Sequence, residues 1–419
     1  MRTTVRSIPP PAGPGRGADL AQVATGIGER LVREAVWYRG QCNWVALGAA
    51  GPPPVQRALG PELGAGTAGI ALFLAQLAAA GGDAPLRRTA LGAVGQALAH
   101  AGQAPPHGLY TGRIGVAYAA ARCGLLLGEE RLVAGAGRLA RGRRATGGER
   151  RFDLLGGSAG SIAGLLALAR LLSDERLVQR AQRLGDELAE GARRGREGWS
   201  WPAPGERRMH GRCGMAHGAA GIAWALLELH AATGAPRHRA AAERALDYER
   251  HWFDPQRADW PDLGGIERRE RRGTFCAPPA TGWADGAPGI ALARLRAWRI
   301  AGDERLRGET ETALATTAAH VDRELLTAGA DFTLGCGLGG GAEALLAGVA
   351  LHPQGAELAR RAGEIAASRH AGSLDGWPCG IAGAGLAPGL LGGHAGIGLL
   401  YLRLHDRAVP SPLLIGAPD

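Results

Sequence analysis

The chain has 419 residues, 46% hydrophobic and 21% charged, which is enough apolar content for a sizeable core and excludes disorder over most of its length. Its 48 basic and 39 acidic residues leave a net charge of +9, but every cation is Arg and 69 residues are Gly. That pattern reads as compositional bias rather than as a nucleic-acid footprint.

Residues 1–17, rich in Pro and Gly, predict a flexible tail, and they lack the apolar core of a signal peptide. From Gly66 onward a short signature repeats: Gly-x-x-Gly followed by an apolar helical run. The copies are Gly66 to Gly69, Gly112 to Gly115, Gly157 to Gly160, Gly218 to Gly221, Gly286 to Gly289, Gly337 to Gly340 and Gly393 to Gly396, spaced 46, 45, 61, 68, 51 and 56 residues apart. Runs such as Ile70 to Leu74, Ile222 to Leu227 and Ile397 to Leu402 are apolar nearly all round, as helices buried on both sides are.

Between the marks lie amphipathic segments, among them Asp174 to Arg194, Arg237 to Trp252 and Asp303 to Leu325. An acid opens several of these surface helices, where a helix N-terminus favours it. Alternating buried and amphipathic helices hide their apolar faces by closing into a ring. The expected fold is therefore all-α: an α/α toroid of seven inner and seven outer helices, forming one domain over residues 18–419. An open solenoid would need atypical capping repeats, and the first and last copies look like the rest. Period-2 alternation is scarce, so strands are not expected.

The longest apolar stretch, Leu154 to Ala169, is interrupted by Gly and falls short of the about 20 residues that span a bilayer. Six cysteines, Cys42, Cys123, Cys213, Cys276, Cys336 and Cys379, form no CxxC pair and are expected to be reduced, in a cytoplasmic protein. The cluster Arg268, Arg269, Arg271 and Arg272 reads as a solvated loop.

If the marks are equivalent turns, the residues ahead of them share one rim. One place before the first Gly stand Ala65, Thr111, Gly156, His217, Asp285, Cys336 and Gly392. Three consecutive repeats thus bring a base, an acid and a thiol to one mouth, where helix N-termini also converge. Asp153, four residues ahead of its mark, can reach the same mouth as a base or an orienting group. Trp283, Tyr110 and Trp377 are candidate walls of a substrate groove. His210, Cys213 and His394 read as structural.

These residues resemble the lanthionine synthetase C-like family. The resemblance runs from the Trp37 region to the last mark, and its most specific pieces are Gly214-Met-Ala-His217-Gly218-Ala-Ala-Gly221, Gly282-Trp283-Ala-Asp-Gly286-Ala-Pro288-Gly289 and Leu334-Gly-Cys-Gly337-Leu-Gly-Gly340. It implies cyclisation of a ribosomally made peptide, in which a Cys thiol adds to dehydroalanine or dehydrobutyrine to give a lanthionine or methyllanthionine ring. It also implies a zinc ion held by two Cys and one His. At those positions this sequence has Ala284, Gly335 and Cys336, and Ala280 replaces the family's Arg, so no zinc is expected there.

Without the metal, positioning has to carry the chemistry. The resemblance matches His217 and Asp153 to the family's histidine and aspartate, with His217 delivering the proton and Asp153 or Asp285 handling the thiol. Relatives of this kind are similar to the cyclases of class III and class V lanthipeptide pathways; the sequence shows no kinase or lyase region, so a free-standing cyclase is expected, with the class V arrangement the closer fit. Its precursor peptide would be dehydrated by separate kinase and lyase proteins, with no nucleic-acid or membrane partner. The alternative is a degenerate member that binds the precursor and scaffolds those partners. A glycosidase or terpene cyclase would need paired carboxylates or an Asp-rich cluster, which the rim lacks.

Overall fold

The computed structural model describes residues 19–47, 56–81, 83–142, 150–201, 210–263, 281–327, 329–372, 377–379 and 387–417. The expected N-terminal tail, the Arg268 to Arg272 cluster, Cys276 and Ala280 lie outside them.

Seven inner helices follow the seven marks: α2 (Thr67–Gly81), α4 (Arg113–Leu127), α6 (Ser158–Leu172), α8 (Ala219–Thr233), α10 (Ala287–Ala301), α12 (Leu338–Ala347) and α14 (His394–His405). Six have an extended Gly as N-cap, the first glycine of the mark. Four end in a left-handed residue, at Gly128, Ser173, Gly234 and Gly302, the usual way to close a helix C-terminus.

The outer layer is α3 (Ala84–His100), α5 (Glu130–Arg141), α7 (Glu175–Glu190), α9 (Pro236–Trp252), α11 (Glu304–Glu324) and α13 (Gly355–His370), each packed on the inner helix before it. The seventh outer helix is α1 (Leu20–Glu34), which precedes the first mark and packs on α14, so the two ends of the chain share the last repeat. Asp19, Asp174 and Asp303 cap α1, α7 and α11 through their carboxylates.

Backbone hydrogen bonds close the ring. Two places before the first Gly of each mark stand Gly64, Tyr110, Leu155, Ala216, Ala284, Gly335 and Leu391. Each donates its N–H to the carbonyl of its counterpart in the next repeat, at 2.7 to 3.2 Å, and Leu391 donates back to Gly64 at 2.8 Å. Seven strictly equivalent residues therefore form a closed cycle, which an open solenoid cannot make.

The second glycine of each mark has a packing reason. A Cβ on Gly69, Gly115, Gly160, Gly221, Gly289, Gly340 or Gly396 would strike the carbonyl of Leu63, Leu109, Leu154, Met215, Trp283, Leu334 or Leu390, respectively. Those seven side chains, all buried, fill the centre of the toroid just beneath the rim.

Strands depart from the sequence expectation. Among the described residues there are three small antiparallel strand pairs: β1 (Val36–Tyr38) with β2 (Gln41–Asn43), β3 (Val45–Leu47) with β4 (Gln56–Ala58), and β5 (Arg193–Gly195) with β6 (Gly198–Ser200). Three-residue strands are too short to show alternation. The β1–β2 turn uses Arg39 and Gly40, both at positive φ, the arrangement that suits a two-residue hairpin.

The C-terminal segment turns back into the toroid. Val409, Leu413 and Ile415 are buried, and the Tyr110 hydroxyl donates to the Pro412 carbonyl at 2.7 Å. Among the described residues no helix is long and apolar enough to cross a membrane.

Candidate active site

The backbone cycle fixes where the rim side chains stand. His217 follows Ala216, Asp285 follows Ala284 and Cys336 follows Gly335, so each sits one residue past its link, on adjacent staves. Two glycines four places ahead of their marks let these staves close up. A Cβ on Gly214, at φ +93°, would lie 2.6 Å from the Asp285 Cα, and one on Gly282 would lie 2.7 Å from the Cys336 Cα.

Asp153 and His217 meet. His217 Nδ1 stands 3.2 Å from Asp153 Oδ2, and since a carboxylate only accepts, Nδ1 carries the hydrogen and Nε2 is left to exchange a proton. Asp153 also accepts the Gly156 N–H at 2.7 Å through Oδ1 and Arg151 at 3.1 Å through Oδ2. Burial opposes its ionisation, but the His217 ring, the Gly156 amide and Arg151 outweigh it, and its pKa falls below the ordinary carboxylate value. Asp153 is thus held as an anion with its oxygens committed.

Asp285 and Cys336 sense one another across the next two staves. Cys336 is exposed, yet burial of its surroundings, then the charges of Asp285 and Asp331, push its thiol pKa up. At neutral pH it stays protonated, a poor nucleophile. Asp285 is half-buried.

The aromatic residues expected in the groove lie elsewhere. Trp283 and Tyr110 are 1% and 0% exposed and meet edge to face, ring centroids 5.5 Å apart, beneath the rim. Trp377 is buried among Phe332, His370 and Tyr401, with its backbone N–H 3.5 Å from His394 Nε2. His210 is exposed against the Trp252 ring, and Cys213 is buried with its pKa raised by burial.

Three further residues shape the site. Arg151 and Asp331 both stand six places ahead of their marks, and extending the repeat register outward would have found them. Glu249, on outer helix α9, is fully buried, accepts the Gly214 N–H at 3.0 Å and pairs with Arg294 of α10 at 3.0 Å. It ties the His217 loop to the next stave, a role no local motif announces.

A family profile described as "Lanthionine synthetase C-like protein" matches residues 57–414. The chain belongs to the lanthionine synthetase C-like family. No curated protein matches the sequence. Among solved structures, nisin cyclase is similar with a TM-score of 0.65 at 16% identity, covering 94% of this chain and 96% of that one. At that identity the likeness shows the shared fold. An α-1,6-mannanase from Salegentibacter sp. HEL1_6 matches at a TM-score of 0.45 and 12% identity, over 94% of this chain and 100% of that one.

Ala284, Gly335 and Cys336, the positions where the resemblance implies zinc ligands, do not form a set that fits the ion. Ala284 and Gly335 offer no side-chain donor, their backbone groups are bonded to one another and to neighbouring staves, and Cys336 alone would remain. Among the described residues no three His, Cys, Asp or Glu side chains are grouped to hold a metal ion, where a catalytic zinc takes three protein ligands.

Proposed function

We propose that the rim is the active site of a peptide cyclase that forms thioether rings without zinc. The observation that carries this reading is the His217–Asp153 contact, 3.2 Å across two repeats, at the mouth of a family fold whose implied chemistry needs one mobile proton. His217 Nε2 accepts the proton of a peptide Cys thiol. The sulfur then adds to Cβ of dehydroalanine or dehydrobutyrine, forming the S–C bond. The enolate so produced takes the proton back from Nε2 at Cα, and the imidazole is neutral again.

Asp153 orients the ring and stabilises its imidazolium form. Its lowered pKa makes it the anchor of the pair rather than the base. Asp285 and Cys336 form the adjoining wall, where a negative charge and a neutral thiol border the incoming peptide. The precursor arrives already dehydrated by separate kinase and lyase proteins, and peptide thiols stay free in a reducing compartment such as the cytoplasm.

The second reading, a degenerate member that binds precursor and scaffolds its partners, is favoured by the missing donors at Ala284 and Gly335. One experiment separates the two. The protein is incubated with a peptide carrying one dehydroalanine and one cysteine, and thiol loss is followed against the uncatalysed rate. Accelerated ring closure that His217→Ala abolishes supports the cyclase. Peptide binding without acceleration supports the scaffold.

A further inference from the structure

The end of the toroid away from the rim holds a cavity of about 730 Å³ that the cyclase reading does not use. It lies among the C-terminal ends of the inner helices and is lined by Arg122, Arg170, Arg296, Arg299, Arg403 and Arg407. Two of these are neutralised: Arg296 by Glu228 at 2.7 Å and Arg403 by Glu343 at 2.7 Å. The other four have no carboxylate partner among the described residues, and no Asp or Glu lines the cavity.

Helix C-termini attract cations, and that accounts for part of the pattern. Arg299 donates to the Ala347 carbonyl at 3.3 Å and Arg407 to that of Leu346 at 2.8 Å, both at the C-terminus of α12, whereas Arg170 donates to the Gly416 carbonyl of the C-terminal segment at 2.6 Å. Each of these contacts uses one N–H of the five a guanidinium carries. Among the described residues Arg122 makes no such contact. Capping also does not explain why four uncompensated charges from α4, α6, α10 and the segment after α14 converge on one space. Burial, then Arg296, lowers the Arg299 pKa, so these like charges already oppose one another.

We infer that this cavity is a binding site for a small polyanion bearing phosphoryl groups. Guanidinium forks match phosphate oxygens, and a tetrahedral group can accept from several arginines approaching from different helices, whereas a planar carboxylate is served by one or two. The volume falls within the range of small-molecule sites. The C-terminal segment forms one wall through Val409, Ser411 and Gly416, so an occupant would brace the segment that reaches Tyr110.

The test is calorimetric titration of the full-length protein with inorganic triphosphate at fixed ionic strength, with citrate and an oligoglutamate peptide as parallel arms. Triphosphate is expected to bind at least tenfold more tightly than citrate and to raise the melting temperature. Arg122→Gln, which removes no described contact, should weaken triphosphate binding at least fivefold while leaving the unliganded melting temperature within error. Arg407→Gln should weaken it further, with folding checked by circular dichroism. Triphosphate binding no tighter than citrate, tighter binding of oligoglutamate, or unchanged affinity in Arg122→Gln would each overturn the assignment. Because the readout is binding, its failure leaves the cyclase reading untouched, and the converse holds too.

Discussion

The His217 ring and the Asp153 carboxylate touch at 3.2 Å although 64 residues separate them in the chain, because the Leu154 and Leu155 amides both donate to the Ala216 carbonyl, at 3.1 and 3.2 Å. The pair is thus set by backbone links one and two residues away from it. If its purpose is to hold one tautomer and steady an imidazolium, Asp153→Asn should lower the rate of ring closure by about 100-fold or more, the usual worth of a positioned acid–base group. Melting temperature should fall little, since the Asn oxygen can still accept the Gly156 N–H in the place of Oδ1, and only the partly exposed contacts of Oδ2 with Arg151 and His217 are given up. Thiol consumption with the dehydroalanine peptide, measured beside thermal melting, checks both.

Glycine at the rim is a requirement of close approach. Gly214→Ala places a methyl 2.6 Å from the Asp285 Cα at φ +93°, and should cost roughly 2 kcal/mol or more in stability. Gly40→Ala, at φ +78° with open space around it, should cost only about 1 kcal/mol. Urea denaturation of the two variants gives the comparison.

Cys336 is exposed but electrostatically subdued. Burial contributes first to its raised pKa, then Asp285 and Asp331. Replacing both acids by amides lowers that pKa, so more thiolate exists at pH 8. Alkylation of the Cys336 peptide by iodoacetamide, read by mass spectrometry, should quicken roughly two- to fivefold, short of the tenfold of a full pKa unit.

Which of these residues a reader could find in the sequence depends on whether they obey the repeat. The seven marks, the inner helices and the rim positions of His217, Asp285 and Cys336 all follow from register alone. Trp283 escaped correct placement because the chain turns between it and the mark: Asp285 sits on the rim, while Trp283, two residues earlier, is buried against Tyr110. Tyr110 and the C-terminal segment meet through a contact spanning 302 residues, which no local pattern encodes. The same holds for Glu249, whose partners Gly214 and Arg294 lie 35 and 45 residues away.

That buried hydroxyl contact has a measurable worth. Tyr110→Phe leaves the Pro412 carbonyl without its donor and should cost about 1 to 2 kcal/mol. It should also raise proteolytic sensitivity after Val409, the diagnostic that the segment has loosened.

Acid should weaken the fold through His394. The residue is 2% exposed, and burial, then Arg30, lower its pKa from 6.5 to about 4. A histidine depressed in the folded state stabilises above its unfolded pKa and gives that up as pH falls through the folded one. Between pH 6.5 and 5 the protein should lose about 2 kcal/mol from this group. His394→Gln should flatten that part of the curve, as denaturant midpoints at the two pH values will show.

The circle of amide links has a bearing on how the molecule is made. The Gly64 carbonyl is emitted early in synthesis and receives its donor only from Leu391, 327 residues later (391 − 64 = 327), just as α1 must wait for α14. Neighbouring staves can assemble as they leave the ribosome, but the first one stays half-satisfied until the last arrives. Maturation of this chain is therefore gated by the slowest kind of step, a long-range joining of chain ends.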